Sequence, residues 1–298
     1  MPKRKESGRI PFHYGFYAAM KVEYDLIHAD VTYEQEIQLG EDPVRLDFLI
    51  IKKSADVVLN DPIGKFFKSV NIFEYKSPQD GLSIDDFFKA AGYTFIYKGY
   101  DRKVDELPIE NMTLTLVRHS YPRELIKKLK QIGFEVNEEY PGIFRIYGRI
   151  CVDVQLVVSS RLPDGEYEGL QLLASGCTKD NVLQYAARAR NSMDENVKTN
   201  AGTVVGICLN INNDLGNELK EESTSTMTMT GAEVMDLIEK MYGKAFDELS
   251  SRALAKDRER VATDMLKNGE PIEKIVKYSR LAEGTIRNMA QTLGIAIM

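Results

Sequence analysis

The chain has 298 residues, of which 43% are hydrophobic and 28% charged, a composition typical of soluble globular proteins with a sizeable core. Its formal net charge of −6 repels polyanions at long range, whereas nucleic-acid-binding proteins usually carry a basic surface. The longest apolar run, residues 202–211, is shorter than the roughly 18–20 residues that a membrane span needs. We therefore expect no membrane partner, and any nucleic-acid site must be a local basic cluster.

The cysteines and the start of the chain indicate the compartment. Cys151, Cys177 and Cys208 are scattered, odd in number and without the spacing of metal ligands, which is typical of buried thiols in a reducing compartment. The basic first residues are followed by polar and aromatic ones, which form no signal-peptide core. We therefore predict a cytoplasmic protein.

The first 160 residues alternate between helical and strand-like patterns. In chain order they predict a helix over residues 14–28, a β-hairpin over 31–53, a strand over 70–76, a helix over 83–98, a strand over 113–117, a helix over 123–131 and short strands over 144–159. Ser83 is the expected N-cap of the second helix, because Asp85 and Asp86 follow in its first turn. The pattern predicts an α/β (α+β) fold with a mixed central sheet flanked by helices.

The rest of the chain is predominantly helical. Helices are predicted over residues 179–197, 231–241 and 245–267. Residues 212–230 are polar and low in complexity, so they are the expected connection. We therefore divide the chain into a core over 1–160, a mixed extension over 161–230 and a helical C-terminal region over 231–298.

Three charged residues stand out in predicted strands. Glu74 and Lys76 are two apart, so the period of a strand places both on one face, with Tyr75 on the other. Asp47 lies in an otherwise apolar strand, where a lone carboxylate needs a partner or a metal. The alternative interpretation is a solvated ion-pair set for Glu74 and Lys76 and a turn-edge acid for Asp47.

A helix, a hairpin carrying Asp47, a strand with Glu74-Tyr75-Lys76 and a following helix resemble the PD-(D/E)XK nuclease superfamily. The string EYKSPQDGLSIDDFFKAAGYTFIYK and the tail MLKNGEPIEKIVKYSRLAEGTIRNMA resemble its bacterial recombination-promoting nuclease and transposase-like branch. The resemblance covers about residues 16–97 and the tail after 262. It implies a restriction-endonuclease-like fold.

The resemblance also implies a metal-dependent DNA endonuclease acting in recombination, mobile elements or phage defence. In that case Asp47 and Glu74 hold Mg²⁺ or Mn²⁺, together with the Tyr75 carbonyl, because hard cations prefer oxygen ligands. Lys76 orients the attacking water or neutralises developing charge.

The first and second predicted helices supply further candidates. Family members often add an acid from the first helix, and Glu23 is the candidate here, with Asp25 next. The alternative for Glu23 is a surface position on that helix. Lys89 and Tyr93 lie four apart on one face of the second helix and are candidate phosphate contacts. The alternative for Tyr93 is a packing role.

The last thirty or so residues predict a helix, a tight turn and a helix, as in units that read DNA. The turn is expected near Gly284, and four basic residues could meet phosphates: Lys274, Lys277, Arg280 and Arg287. Nearby glutamates dilute this face, which favours a helical hairpin that docks on the body or on a second subunit. A homodimer is expected by analogy with nucleases that pair to cut both strands. The alternative function is an inactive nuclease fold that binds DNA or protein through these helices.

Overall fold

A computed structural model describes residues 10–39, 44–54, 57–100, 103–212, 214–215 and 229–295. For residues 36–39, 44–48 and 245 it describes the backbone alone. The helices are α1 (Phe12–Leu26), α2 (Ile84–Gly99), α3 (Arg123–Gln131), α4 (Glu168–Leu172), α5 (Lys179–Arg190), α6 (Glu195–Ile211), α7 (Gly231–Lys267), α8 (Ile272–Ser279) and α9 (Glu283–Leu293). The strands are β1 (Val31–Leu39), β2 (Val44–Lys53), β3 (Val70–Lys76), β4 (Met112–Arg118), β5 (Glu135–Tyr140), β6 (Ile143–Tyr147) and β7 (Asp153–Val158).

The strands form one seven-stranded sheet in the order β1-β2-β3-β4-β7-β6-β5. The three central strands, β3, β4 and β7, run parallel, and the outer pairs are antiparallel. Helices cover both faces, so the predicted mixed sheet flanked by helices, with a helical C-terminal region, is confirmed. The carboxyl ends of parallel strands lie at one edge, where ligands commonly bind in open α/β sheets.

Each face of the sheet belongs to a different apolar core. The first core contains Phe73 and Tyr75 of β3 and joins them to α1, α4, α5, α6 and the first half of α7. The second core contains Ile72 of β3 and joins it to α2 and α3. Because neighbouring strand residues point to opposite faces, β3 contributes to both cores.

The first core crosses the domain boundary predicted at residue 160. Phe16 of α1 and Val204 of α6 are both fully buried in it. Helices α6 and α7 meet so closely that a Cβ at Gly202 would lie 1.8 Å from the Gly231 carbonyl oxygen. The extension and the first part of the C-terminal region therefore share one core with the sheet.

One helix boundary differs from the sequence prediction, because the helix predicted over 179–197 is broken between α5 and α6. There Asp194 accepts a hydrogen bond from the Asn196 backbone N–H (2.8 Å) and caps α6. The two helices predicted over 231–241 and 245–267 are separated as predicted, because Gly243 (φ 35°, ψ −112°) has a non-helical backbone inside the range given for α7. No helix within the described ranges is long and apolar enough to cross a bilayer.

The end of the chain has a third core of its own, built by α8, α9 and the last turns of α7. Its buried residues are Ala262, Leu266, Ile275, Ile286 and Ala290. The predicted helix, turn and helix are present, but Gly284 lies inside α9. Arg280 (φ 57°) makes the turn.

Candidate active site

Glu74 and Lys76 lie at the carboxyl end of β3, on the face that carries the second core. The Lys76 Nζ is 3.1 Å from Glu74 Oε1, and the two side chains are only 20% and 17% exposed, respectively. The strand alternation that predicted their shared face is confirmed, because Ile72 belongs to the second core and Tyr75 to the first. A half-buried acid and base therefore share the edge where the parallel strands end.

Asp86, at the start of α2, completes this group. Its Oδ1 is 3.0 Å from Lys76 Nζ, so Lys76 contacts two carboxylates. Its Oδ2 accepts hydrogen bonds from the Ser83 backbone N–H (2.8 Å) and the Ser83 hydroxyl (2.7 Å). The Ser83 hydroxyl in turn accepts from the Asp86 backbone N–H (3.2 Å), which makes a reciprocal capping box. The cap of α2 thereby fixes the carboxylate that faces Lys76.

The electrostatics keep Lys76 charged. Burial lowers the pKa of Lys76, but Glu74 and Asp86 outweigh this and hold it above its ordinary value. Burial raises the pKa of Glu74, against the opposing effect of Lys76. For Asp86, partial burial raises the pKa, yet the Ser83 hydrogen bonds and Lys76 bring it below its ordinary value. The site therefore holds a fixed positive charge between two carboxylates of different basicity.

Lys89 lies beside this group, one turn further along α2. Its charge is among the causes that lower the pKa of Glu74, which places it close to the site. Its Nζ also lies 5.5 Å from the centroid of the Tyr93 ring, and Tyr93 packs against the second core. The structure thus brings Lys89 and Tyr93 together on one face of α2, as their spacing predicted. Their role as phosphate contacts stays a prediction.

The Tyr75 side chain lies on the opposite face of the sheet. Its ring stacks on Phe16 of α1, with 4.7 Å between ring centroids and 8° between planes, and is 4% exposed. Only the backbone carbonyl of Tyr75 therefore remains a candidate metal ligand. The side chain serves the first core.

Glu23 does not join Glu74 and Lys76, contrary to the sequence prediction. Helix α1 covers the Tyr75 face, so the sheet separates Glu23 from the proposed site. Its Oε1 is 3.5 Å from Arg188 Nη1, and Glu168 and Asp257 lie within 4.0 Å of the same guanidinium. Glu23 belongs to a buried ion-pair cluster among helices.

Asp25, the second acid considered on α1, also has a partner away from the site. Its Oδ1 accepts a hydrogen bond from the Tyr33 hydroxyl of β1 (2.9 Å). Neither acid of α1 is therefore placed at the carboxyl end of β3.

The backbone of Asp47 lies in β2, and its side chain lies outside the described residues. Pairing of β1 with β2 is regular up to Gln35 opposite Leu49 and resumes with Ile37 opposite Leu46. One residue of β1 therefore faces two of β2, Asp47 among them, which is a β-bulge. Such bulges are frequent beside active sites.

The ligand types present suit a hard divalent cation. Glu74 and Asp86 offer carboxylate oxygens, the donors that Mg²⁺ takes in proteins. Within the described ranges, however, no group of three or more histidine, cysteine or acidic side chains could hold a metal ion. Asp47 would have to complete the set.

Arg118, which directly follows the strand predicted over 113–117 and ends the observed β4, was not among the predicted site residues. It is the partner of Lys76 in the parallel register of β3 and β4, and it alternates with Leu116 of the second core. It therefore shares the face of Glu74 and Lys76. Its position follows only from the pairing of β4 with β3, which sequence spacing does not specify.

Comparison with known proteins gave no match: no family model, no curated protein and no solved structure is significantly similar to this chain.

Proposed function

We propose that this protein is a divalent-metal-dependent nuclease that hydrolyses DNA phosphodiester bonds. The observation that carries the proposal is the contact of Lys76 with Glu74 at the carboxyl end of β3, with Asp86 on the other side of the ammonium. An acid and a base together on a half-buried face are an unusual choice for an ordinary core strand. Metal-dependent hydrolysis of a phosphodiester uses an anionic metal-binding group, and a fixed cation can stabilise the charge that develops.

Each residue has a stated role in this proposal. Glu74 and Asp47 would hold Mg²⁺ or Mn²⁺ with the Tyr75 carbonyl, and the ion would polarise the phosphate and acidify a bound water. Lys76, kept charged by its two carboxylates, orients the attacking water or neutralises charge on the phosphoryl oxygens. The homodimer and the cytoplasmic location stay predictions.

Plasmid cleavage by the purified protein with Mg²⁺ or Mn²⁺ tests the proposal. Glu74→Gln, Lys76→Met and Asp47→Asn are each expected to lower the rate by at least about a hundredfold. Glu135→Gln, an exposed acid on β5, is the matched control and should cleave like the wild type. Equal rates in all four variants would refute the assignment.

A second candidate function is a binding module formed by the C-terminal helices. The third core favours it, because α8 and α9 have apolar packing of their own. Two of the four basic candidates pair with acids one turn away, Lys274 with Glu270 (2.8 Å) and Arg287 with Glu283 (2.6 Å). Those pairs reduce the charge offered to a phosphate backbone.

Metal-dependent melting separates the two functions. A nuclease that binds Mn²⁺ gains stability by mass action, so its Tm should rise with Mn²⁺ and the rise should vanish in Glu74→Gln. An unchanged Tm, with no cleavage and intact binding of DNA or a protein, would instead support the binding module.

A further inference from the structure

Two arginines extend the positive charge of Lys76 across the carboxyl edge of the central strands. Arg118 ends β4, and Arg161 follows β7 in the short 3-10 helix Ser159–Arg161. Strands β3, β4 and β7 are parallel neighbours, with Lys76 beside Arg118 and Arg118 beside Val158. Neighbouring strands lie about 4.8 Å apart, so Lys76 and Arg118 are adjacent, and Arg161 follows shortly after Val158. We name Lys76, Arg118 and Arg161 the basic strip.

Arg118 has an unused hydrogen-bonding group. Its side chain is half-buried, and its Nε is buried with no hydrogen-bond partner. Among the side chains that the structure describes, none makes an ion pair with it. Glu74 and Asp86, the carboxylates at the carboxyl end of β3, are already in contact with Lys76. A buried Nε without a partner needs an explanation, and a guanidinium positioned for an anionic ligand at its accessible side supplies one.

Arg161 is held in place without losing its charge. Its guanidinium lies 4.1 Å from the centroid of the Tyr121 ring and 5.8 Å from that of Phe144. Both rings pack in or against the second core, so Arg161 lies on the same face as Lys76 and Arg118. Stacking on a ring uses the flat face of the guanidinium and leaves its N–H edge for a planar acceptor.

We propose that the basic strip binds the phosphodiester backbone of a nucleic acid and leads it to Glu74 and Lys76. This inference rests on the proposed nuclease function. Guanidinium groups bind phosphate oxygens through two parallel hydrogen bonds, which fixes the orientation of the backbone as well as its position. The chain has a net charge of −6, but the strip places the guanidinium charges of Arg118 and Arg161 together, and a local basic cluster can attract a polyanion.

The test is the salt dependence of DNA binding by the full chain. Anisotropy of a fluorescein-labelled duplex of about 30 base pairs would be measured in EDTA, which prevents hydrolysis, over a series of KCl concentrations. Each phosphate contact contributes about 0.9 to the slope of log K against log salt. Arg118→Met and Arg161→Met should each weaken binding several-fold and reduce the slope by about 0.9, and together by about twice that.

Two further variants make the result specific. Arg149→Met removes an exposed charge beyond β6, at the opposite edge of the sheet, and should leave the slope unchanged. Arg118→Lys keeps the charge and should keep the slope. Should Arg118→Met fold poorly, Arg161→Met still decides the matter, because Arg161 is exposed.

The outcomes separate this inference from the proposed function. An unchanged slope in both methionine variants, or no binding of the duplex by the wild type, overturns the basic strip. If the wild type cleaves plasmid while the slopes of the methionine variants stay unchanged, the nuclease function is supported and the role of the basic strip is refuted. If the variants show the expected slope changes but the wild type does not cleave with Mg²⁺ or Mn²⁺, the role of the basic strip is supported and the nuclease function is refuted.

Discussion

The ammonium of Lys76 lies 3.0 Å from Asp86 Oδ1, which ties the end of β3 to the first turn of α2. The other oxygen of the same carboxylate is used in the capping box with Ser83. One side chain thus caps a helix and positions the cation of the proposed site. Ser83 takes part only in the helix cap, so substitutions of Ser83 and Asp86 can separate the two roles.

Asp86→Ala and Ser83→Ala should both destabilise the protein, but only the first should affect cleavage. Loss of a helix cap costs about 1 kcal/mol, so we expect similar losses in urea-denaturation free energy for the two variants. Asp86→Ala also leaves Lys76 with one carboxylate, and a misplaced catalytic group can lower the rate by about ten- to a hundredfold. Similar cleavage rates for the two variants would contradict a positioning role of Asp86.

Arg188→Met should be strongly destabilising. Arg188 is the cation shared by Glu23, Glu168 and Asp257, and its loss removes the main countercharge of the buried Glu23. Breaking a buried pair by removing one partner costs about 3–5 kcal/mol, which denaturation in urea would show. Glu23→Gln should cost less, because Arg188 retains two other carboxylates. Glu23→Gln should also cleave plasmid at the wild-type rate. A large loss of activity would instead indicate that Glu23 belongs to the proposed site.

The pH dependence of stability should differ between the wild type and Glu23→Gln. Burial raises the pKa of Glu23, and Arg188 opposes this only in part. A raised pKa in the folded state means that the folded chain holds the proton more tightly than the unfolded chain. The stabilisation is complete below the pKa of Glu23 in the unfolded chain, and it is lost as pH rises through the pKa in the folded chain. The stability of the wild type relative to Glu23→Gln should therefore fall as pH rises above the ordinary glutamate pKa of 4.5 and through the folded-state pKa, as denaturation series at each pH would reveal. A constant difference would contradict the raised pKa.

Two glycines of α6 should respond in opposite directions to alanine. A Cβ at Gly202 would lie 1.8 Å from the Gly231 carbonyl oxygen, so Gly202→Ala must push α7 away and should cost about 1–3 kcal/mol. A Cβ at Gly206 would meet only Val234 Cγ2, at 3.5 Å, an ordinary contact. Gly206→Ala should therefore gain up to about 1 kcal/mol from helix propensity. Thermal melts of the two variants check the prediction, and equal shifts would contradict the close approach of the helices.

Ile275→Ala should loosen the C-terminal helices without affecting the body. Ile275 is fully buried in the third core, and truncation of such a side chain costs about 2–5 kcal/mol. Hydrogen exchange should speed up in α8 and α9 and stay unchanged in β3 and β4. If the nuclease proposal holds, plasmid cleavage persists at low salt. Faster exchange throughout the sheet would show that the third core is not independent.

Much of the fold follows from the sequence because its signals are local. The bounds of β3 and α3 were predicted as the structure has them, and the strand period placed Glu74 and Lys76 on one face. Glu23 was misplaced because the face of a helix that meets the sheet is set by tertiary packing, here by Phe16 on Tyr75. Arg118 was overlooked for a related reason, since its proximity to Lys76 depends on which strands pair.

The break between α5 and α6 and the placement of the Asp47 side chain could not be predicted from the sequence. The interruption between α5 and α6 depends on the Asp194 cap, within a stretch whose apolar spacing continues through it. Asp47 stays a prediction, because its side chain lies outside the described residues and only the backbone bulge bears on it. A residue at a bulge cannot be assigned to a face by counting along the strand.

Strand β3 supplies aromatic rings to one layer and charges to the other from consecutive positions. An insertion or deletion of a single residue between Val70 and Phe73 would exchange the two sets, turning Glu74 and Lys76 into the α1 layer and Tyr75 toward α2. Such a change would disrupt both the packing of the two cores and the proposed site. We therefore expect insertions and deletions to be tolerated in the loops that flank β3 but not within the strand.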